Sequence, residues 1–140
     1  MPCPVSISVE DVMITDVITI KPDYPVKYAD SLMKYFSIGC LVVVDEGLPV
    51  GILTDNDIVR RVYMMKHDPH LLLVREVMST PLIWVTPSTP LLEATEIMME
   101  KNIRRLPVIG NLSSGPVLLG LLSRIQLAQE KEEAGVKAKK

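Results

Sequence analysis

Apolar residues along this chain form short continuous runs and helix-spaced stripes, in an order that occurs twice. In the first half, residues 17–20 are a β-branched run that predicts a strand. Pro25 then stands in the first turn of a predicted helix that runs to about Ser37. The apolar stripe of that helix consists of Val26, Ala29, Met33 and Phe36. This stripe predicts that one face of the helix packs against a sheet.

Two further apolar runs, residues 41–44 and 50–53, flank Asp45-Glu46-Gly47 and predict a hairpin buried on both faces. Thr54 stops the second of these strands and is expected to open another helix, which ends at His67-Asp68-Pro69. The predicted order of elements in this half is therefore strand, helix, strand, strand, helix (βαββα).

The second half repeats this plan sixty-five residues later, so that residues 9–13 return as residues 74–78. A four-residue insertion near residues 111–114 then changes the offset to sixty-nine. The matched pairs include Thr15 with Thr80, Ile18 with Ile83, Pro22 with Pro87, Gly51 with Gly120 and Thr54 with Ser123. Because the insertion falls between two predicted strands, it changes only the length of a turn.

The repeat predicts the elements of the second half directly. Residues 82–85 should form its first strand, and residues 106–109 and 117–122 should form its hairpin. Thr89 is expected to cap a helix with Pro90 at its first position, and Ser123 to open the last helix.

Three strands and two helices cannot enclose a core alone, so we expect two βαββα repeats packed sheet to sheet with pseudo-twofold symmetry. The predicted fold class is α/β (α+β). The expected organisation is an N-terminal segment (1–8), a first repeat (9–66), a linker (67–73), a second repeat (74–130) and a polar C-terminal tail (131–140).

The bulk composition excludes several classes of function. A net charge of −2 and 4% aromatic residues argue against a nucleic acid partner. The uncharged stretch at residues 106–123 is broken by proline and glycine, so no membrane span is predicted. Cys3 and Cys40 match no metal spacing and are expected to be free thiols in a reducing cytoplasm. The apolar content of 48% suggests either a dense core or apolar surface covered by another copy or a partner.

The repeated residues resemble a known family, the paired cystathionine β-synthase (CBS) domain or Bateman module. The resemblance rests on Met13-Ile14-Thr15 with Met78-Ser79-Thr80, on the run from Ile103 to Ile109, and on the run from Gly51 to Asp57. It covers the chain from about Val9 to Gln129. The order, spacing and duplication of these motifs together make the resemblance specific.

The resemblance implies an adenosine nucleotide site at Gly51-Ile52-Leu53-Thr54-Asp55-Asn56-Asp57. In this family the aspartate binds the ribose hydroxyls, and the threonine lies near phosphate at a helix N-terminus, where free N–H groups favour anions. A structural alternative stays open, because Thr54 followed by Asp57 is also the pattern with which a helix caps itself.

Comparing the repeats predicts two different clefts, since the family's sites join residues of both repeats. One cleft would combine Asp57 with Arg104 and Arg105, whereas the other would combine Gln126 with Gly39-Cys40. Only the first keeps both a diol acceptor and a phosphate clamp. The predicted ligand-binding residues are Thr54, Asn56, Asp57, Ile83, Trp84, Arg104, Arg105 and Arg124.

Alternatives for the second-half residues also stay open. Arg104 and Arg105 could instead favour an exposed helix C-terminus through its dipole, and Trp84 could pack in a core strand rather than stack on adenine. His67 and His70 flank the linker without a third ligand, so no metal is predicted.

No catalytic constellation is present, and we therefore predict a binding module rather than an enzyme. The expected ligand is AMP, ADP or ATP, with or without Mg²⁺, and no catalytic cofactor is expected. Similar modules pair into homodimers, and the short chain implies a regulated target on an unidentified separate polypeptide. The alternative function is a ligand-independent protein-interaction scaffold.

Overall fold

The computed structural model describes residues 7–124, which divide into two compact units. The first unit contains residues 17–82, and the second contains residues 7–16 together with 83–124. These units are offset from the sequence repeats. Residues 9–16 begin the first repeat but belong to the second unit, and residues 74–82 begin the second repeat but belong to the first unit.

The first unit is built on a three-stranded sheet in the order β1-β2-β3. Strand β1 (Thr19–Ile20) is parallel to β2 (Cys40–Asp45), which is antiparallel to β3 (Leu48–Thr54). The turn between β2 and β3 contains Gly47 at φ +82°, a left-handed conformation that glycine adopts without strain. The predicted hairpin is confirmed, and its strands extend beyond the predicted bounds.

Helix α1 (Val26–Phe36) follows β1, with Pro25 at its N-cap and Ser37 in the left-handed conformation at its C-cap. Its apolar face lies on the sheet, because its spaced residues share one core with residues of β2 and β3. The largest buried members of this core include Leu41, Leu53, Ile58, Val26, Val43, Val62 and Val74. The predicted stripe is confirmed for Val26, Ala29 and Met33, whereas Phe36 is 46% exposed.

After β3 the chain forms a short helix α2 (Asp55–Ile58), which continues as a π-helical turn over Val59–Tyr63. Helix α3 (Val74–Val77) completes the first unit. Its neighbour Ser79 exchanges two backbone hydrogen bonds with Ile52 of β3, at 2.8 and 3.2 Å. The segment that follows α3 is thereby fixed to the sheet.

The second unit contains a 3₁₀ turn (Val9–Asp11), helix α4 (Leu91–Lys101) and the antiparallel pair β4 (Arg105–Leu112) and β5 (Gly115–Ser123). Its core consists of Val9, Val85, Ala94, Met98, Leu106, Val108 and Leu122. The mixed α+β class and the presence of two small sheets agree with the sequence prediction. The packing of sheet on sheet and the pseudo-twofold axis stay predictions.

The strand predicted at residues 82–85 is reduced to a single parallel bridge between Val85 and Val108. In the first unit the N–H of Val42 donates to the carbonyl of Ile18 at 3.3 Å. The residue equivalent to Val42 is Pro107, which has no N–H to offer Ile83. One missing donor therefore explains why this strand is shorter than β1.

The cap predicted at Thr89 is also wrong by one residue, because Pro90 occupies the N-cap of α4. The Thr89 hydroxyl instead accepts a hydrogen bond from the N–H of Thr86 at 3.1 Å. The first helical N–H, that of Leu91, donates to the carbonyl of Ile7 at 2.8 Å. A backbone carbonyl from the segment that precedes the 3₁₀ turn thus replaces a side-chain cap.

The two units use equivalent hydrogen bonds to bind the residues just before the segment that each takes from the other repeat. Val26 of α1 donates to Leu72, as Leu91 of α4 donates to Ile7. Gly51 and Gly120 allow Met78 and Met13, respectively, to lie close to the backbone of the sheet. A Cβ on Gly51 would lie 2.9 Å from the Met78 sulfur, and one on Gly120 would lie 2.7 Å from the sulfur of Met13. The matched glycines and methionines of the two repeats therefore form matched contacts.

Candidate functional site

Thr54 and Asp57 form a reciprocal cap at the start of α2. The N–H of Asp57 donates to the Thr54 hydroxyl at 3.0 Å, and the N–H of Thr54 donates to Oδ2 of Asp57 at 3.1 Å. Thr54 is the last residue of β3, and its side chain bonds to one of the first N–H groups of α2, which have no partner within the helix. The capping interpretation that the sequence left open is therefore confirmed, and it is compatible with a ligand role.

The carboxylate of Asp57 is buried, with its side chain only 6% exposed. Burying a charged carboxylate is unfavourable unless hydrogen bonds or opposite charges compensate. Ser79 Oγ lies 3.2 Å from both carboxylate oxygens, and Nε of Arg61 lies 4.0 Å from Oδ1. Asp57 thus joins α2, the π-helical turn and the segment after α3.

Arg61 also binds the backbone at the end of α3, through a nitrogen other than the Nε that faces Asp57. Its Nη1 donates to the carbonyl of Val77 at 2.8 Å and to that of Met78 at 3.2 Å. These carbonyls lie at the C-terminal end of α3, where backbone oxygens lack helical partners. A cation there satisfies them and brings positive charge close to Asp57.

The other predicted residue in the first unit, Asn56, is exposed at the first turn of α2. Its backbone N–H donates to Oδ1 of Asp55 at 2.7 Å. The side chain of Asn56 is therefore at the surface beside the buried carboxylate of Asp57, on the neighbouring position of the same helix.

Three predicted arginines share one end of the hairpin in the second unit. Arg105 begins β4 opposite Ser123 at the end of β5, and the N–H of Arg124 donates to the carbonyl of Arg104 at 2.8 Å. Arg104 and Arg124 are exposed, and Arg105 is half-buried. The structure therefore brings these three positions together, and the alternative of a helix C-terminus fits Arg104 only loosely because α4 ends at Lys101.

Ile83 and Trp84 lie on the predicted first strand of the second unit, just before Val85. Ile83 packs against the core of that unit, whereas Trp84 is 49% exposed. The core-packing alternative for Trp84 therefore describes only half of its surface. An exposed indole face is available for stacking in a way that a buried one is not.

The eight predicted ligand residues are divided between the units. Thr54, Asn56 and Asp57 belong to the first unit, and Ile83, Trp84, Arg104, Arg105 and Arg124 belong to the second. Gln126 lies outside the described residues, as does Cys3. The composite cleft and the roles of its residues therefore stay predictions.

The first of the comparisons with known proteins decides the family. The model of the CBS domain matches residues 9–63 and again residues 74–133. The chain belongs to the CBS-domain family. Both matches follow the two sequence repeats, and each begins with the segment that lies in the opposite compact unit.

Individual CBS proteins are similar over most of the chain. The CBS domain-containing protein YhcV of Bacillus subtilis is 40% identical over 124 residues, which cover 88% of each chain. The hexameric CBS-CP12 protein from bloom-forming cyanobacteria is 30% identical with a TM-score of 0.80, covering 89% of this chain and 68% of that chain. The chain is thus a CBS-pair protein, and one of the proteins similar to it is hexameric.

A second similar structure carries ligands. The CBS domain pair of protein MJ0100, in complex with 5-methylthioadenosine and S-adenosyl-L-methionine, has a TM-score of 0.81 and covers 91% of this chain and 98% of that chain. Its identity is 22%, so the likeness is one of fold.

Ser79 and Arg61 are two polar contacts of Asp57 that the sequence prediction missed. Ser79 aligns with Ile14 in the first CBS repeat, so a polar side chain stands where the other copy has an apolar one. Arg61 stands four residues after Asp57, a spacing that favours ion pairs on a helix. Both signals were readable, although neither by itself identifies the partner.

An open groove of about 680 Å³ lies at the other end of the first unit's sheet. It is lined by the end of β2 and the β2–β3 turn, by the residues just before α1, and by α1 itself, including Asp45, Tyr24 and Tyr28. The two tyrosine rings are 5.1 Å apart in an edge-to-face arrangement. None of the predicted ligand residues lines this groove.

Within residues 7–124, no group of three or more His, Cys, Asp and Glu side chains is arranged to hold a metal ion. His70 instead contacts Asp68, through its backbone N–H at 2.9 Å and its ring Nδ1 at 3.0 Å, and the first of these bonds lowers the pKa of Asp68.

Over the same residues, no helix has the length and apolar character needed to cross a membrane.

Proposed function

We propose that this CBS pair is a regulatory module that binds an adenine nucleotide, AMP, ADP or ATP, and acts as a nucleotide or energy sensor. The nucleotide would occupy one composite cleft contributed by both repeats. The proposed contacts are Thr54, Asn56, Asp57, Ile83, Trp84, Arg104, Arg105 and Arg124.

The observation that carries this proposal is the buried carboxylate of Asp57. A capping box alone needs no charge, since Gln can fill the third position, as Gln126 does in the equivalent sequence motif. The first repeat instead has a carboxylic acid, whose side chain is 6% exposed, at a position where desolvation of a carboxylate is unfavourable. A cis-diol offers two hydroxyl donors to such a carboxylate at once, which supports a role in binding the ribose.

The arginines support the phosphate end of the proposed ligand. Arg104, Arg105 and Arg124 lie at one end of the β4–β5 hairpin. Guanidinium groups form bidentate bonds with phosphate oxygens, so this end favours an anionic group. In the first repeat the positions equivalent to Arg104 and Arg105 are Gly39 and Cys40.

The ligands of MJ0100 give a reason to test adenosyl compounds beside nucleotides, since that domain pair has the same fold. S-adenosyl-L-methionine carries a ribose diol but no phosphate. A site that depends on the arginines should therefore prefer AMP or ATP over it.

The regulatory part of the proposal is that the nucleotide changes the affinity of a homodimer for a separate partner protein in the cytoplasm. Such coupling requires only that the nucleotide bind one state of the module better than another. Exposed apolar side chains support an interface: Tyr35 of α1 is 82% exposed, and Met64 after the π-helical turn is 70% exposed.

Calorimetry and thermal unfolding with a panel of adenine nucleotides test the proposal. At a hundredfold excess over the dissociation constant, AMP or ATP should stabilise the native state by about 2.7 kcal/mol. Asp57→Asn keeps an acceptor for the cap and should still weaken binding tenfold or more, because it removes the charge. Gln126→Ala is the matched control and should leave affinity unchanged.

Arg104→Glu tests the phosphate contact separately. The substitution should weaken AMP and ATP binding strongly but adenosine binding little, because only the nucleotides carry phosphate. Equal losses for all three ligands would contradict a phosphate role for Arg104.

A ligand-independent interaction scaffold is the second candidate, and the capping geometry favours it. Thr54, Ser79 and Arg61 already give Asp57 structural contacts, so its presence has an explanation without a ligand. Under this function the melting temperature should stay constant across the whole nucleotide panel.

A further inference from the structure

Ser79 occupies an unusual position relative to Asp57. Its hydroxyl lies 3.2 Å from Oδ1 and 3.2 Å from Oδ2, so it straddles the two carboxylate oxygens. A bidentate diol approaches a carboxylate along this same direction, with one hydroxyl on each oxygen. The side chain of Ser79 therefore stands where the sugar of the proposed nucleotide would have to bind.

The Ser79 hydroxyl occupies an acceptor position on each carboxylate oxygen of Asp57. Each oxygen has two acceptor positions. Oδ2 accepts the N–H of Thr54 at 3.1 Å and shares the Ser79 hydroxyl with Oδ1, which also faces Nε of Arg61 at 4.0 Å. Two incoming hydroxyls can both be accepted only after the serine hydroxyl turns away.

The backbone of Ser79 makes such a rotation local. Its N–H donates to Ile52 at 2.8 Å and its carbonyl accepts from Ile52 at 3.2 Å, while Arg61 binds the carbonyls of the two preceding residues. The main chain is therefore held on both sides. Only the χ1 angle of the serine needs to change for the hydroxyl to leave the carboxylate.

We propose that the Ser79 hydroxyl is an internal competitor for the diol-binding position of Asp57 and sets the specificity of the site for a complete cis-diol. The inference rests on the proposed nucleotide function. A ligand with both ribose hydroxyls replaces the serine and forms two bonds. A 2′-deoxy ligand forms only one hydrogen bond to Asp57 and leaves the Ser79 hydroxyl in place. Removing that hydroxyl therefore does not improve its binding.

Calorimetric titration of AMP and of 2′-deoxy-AMP into the wild-type chain and into Ser79→Ala tests this proposal. Removing the competing hydrogen bond should tighten AMP binding about three- to tenfold, and change 2′-deoxy-AMP binding less than about twofold. The ratio of the two affinities therefore rises. Ser31→Ala is the matched control, since it removes an exposed hydroxyl that donates to Lys27 within α1, and it should change neither affinity.

Two results would overturn the proposal while leaving the nucleotide function intact: AMP binding that Ser79→Ala leaves equal or weakens, or equal tightening for both ligands. If neither protein binds any adenine nucleotide, the nucleotide function fails and the competitor with it. Binding by the variant alone supports both. Should Ser79→Ala not fold, Ser79→Cys replaces the hydroxyl with a weaker donor, and the ratio of the AMP affinity to the 2′-deoxy-AMP affinity must still rise, by a smaller factor.

Discussion

The two compact units share one plan but differ in where they bury charge. In the first unit, Asp30 of α1 is 8% exposed and Asp57 of α2 is 4% exposed. Among the described residues of the second unit, the buried positions are apolar apart from glycine. The equivalent of Asp30 is Thr95, whose hydroxyl donates to the carbonyl of Leu91 in its own helix at 2.9 Å.

Buried carboxylates require partners from other elements, and the first unit supplies them. Asp30 accepts a hydrogen bond from the Tyr63 hydroxyl at 3.0 Å and forms an ion pair with Lys34 at 3.0 Å. These contacts join α1 to the π-helical turn, whereas the hydrogen bond of Thr95 stays within its own helix. The comparison teaches that the first unit adds polar contacts between elements to its apolar core, whereas the described part of the second unit depends on its apolar core.

The largest effects should come from equivalent core leucines, since both units depend on apolar packing. Leu41 and Leu106 occupy the same repeat position and are fully buried. Each Leu→Ala substitution should lower the free energy of unfolding by about 2–5 kcal/mol. Chemical denaturation measures this loss. Leu48→Ala and Leu112→Ala are matched exposed controls and should stay within about 0.5 kcal/mol of the wild type.

Alanine substitutions at Gly51 and Gly120 should destabilise the protein to different extents, because the new Cβ would be closer to a backbone oxygen at one position than at the other. The Cβ of Gly120→Ala would lie 2.8 Å from the Ile14 carbonyl oxygen, whereas that of Gly51→Ala would lie 3.1 Å from the carbonyl of Ser79. We expect losses of about 1–3 kcal/mol, larger at Gly120, because a backbone oxygen cannot move aside as a methionine side chain can. Thermal unfolding with equal or reversed losses would contradict this ranking.

The polar network of the first unit should respond to pH. Burial and then the hydrogen bond to Asp30 raise the pKa of Tyr63 above its ordinary value of 10.0, and the hydrogen bond from Lys34 to Asp30 raises the pKa of that lysine. The tyrosine's contribution is therefore present below pH 10.0 and lost as pH rises through the raised value. Curves of unfolding free energy against pH for the wild type and Tyr63→Phe should converge above the raised pKa of Tyr63.

At moderate pH, Tyr63→Phe should lower stability by about 0.5–1.5 kcal/mol, since it removes one hydrogen bond to a carboxylate at a half-exposed ring. Thr95→Val changes the position of the second unit that is equivalent to Asp30, and it should produce no alkaline dependence. A parallel loss in both variants across the pH range would show that the two positions do not differ as described.

The smallest expected change tests the shortened strand. Pro107→Val supplies the N–H that Val42 has in the first unit, and it should donate to the carbonyl of Ile83. The gain of one hydrogen bond is offset by the loss of proline's rigidity, so stability should change by less than about 1 kcal/mol. Hydrogen exchange at residue 107 is the sensitive measurement, and rapid exchange of that amide would refute the explanation.

Much of the local structure was predictable because its causes lie close together in sequence. The spaced apolar residues of α1, the hairpin around Gly47 and the capping pattern of Thr54 and Asp57 each depend on neighbours within a few positions. The strand at residues 82–85 and the cap at Thr89 failed because of residues that are distant in sequence. Pro107 in the neighbouring strand shortened the first, and the carbonyl of Ile7 replaced the second.

The sequence by itself determined the duplication, most of the order of elements and the CBS family, since these follow from patterns that repeat along the chain. Only the tertiary structure decided which segments join which unit and what surrounds Asp57. Ser79 is twenty-two residues from Asp57, and its contact exists because the chain returns to β3 and pairs with Ile52. Such contacts depend on how distant segments meet in space, which local propensity does not specify.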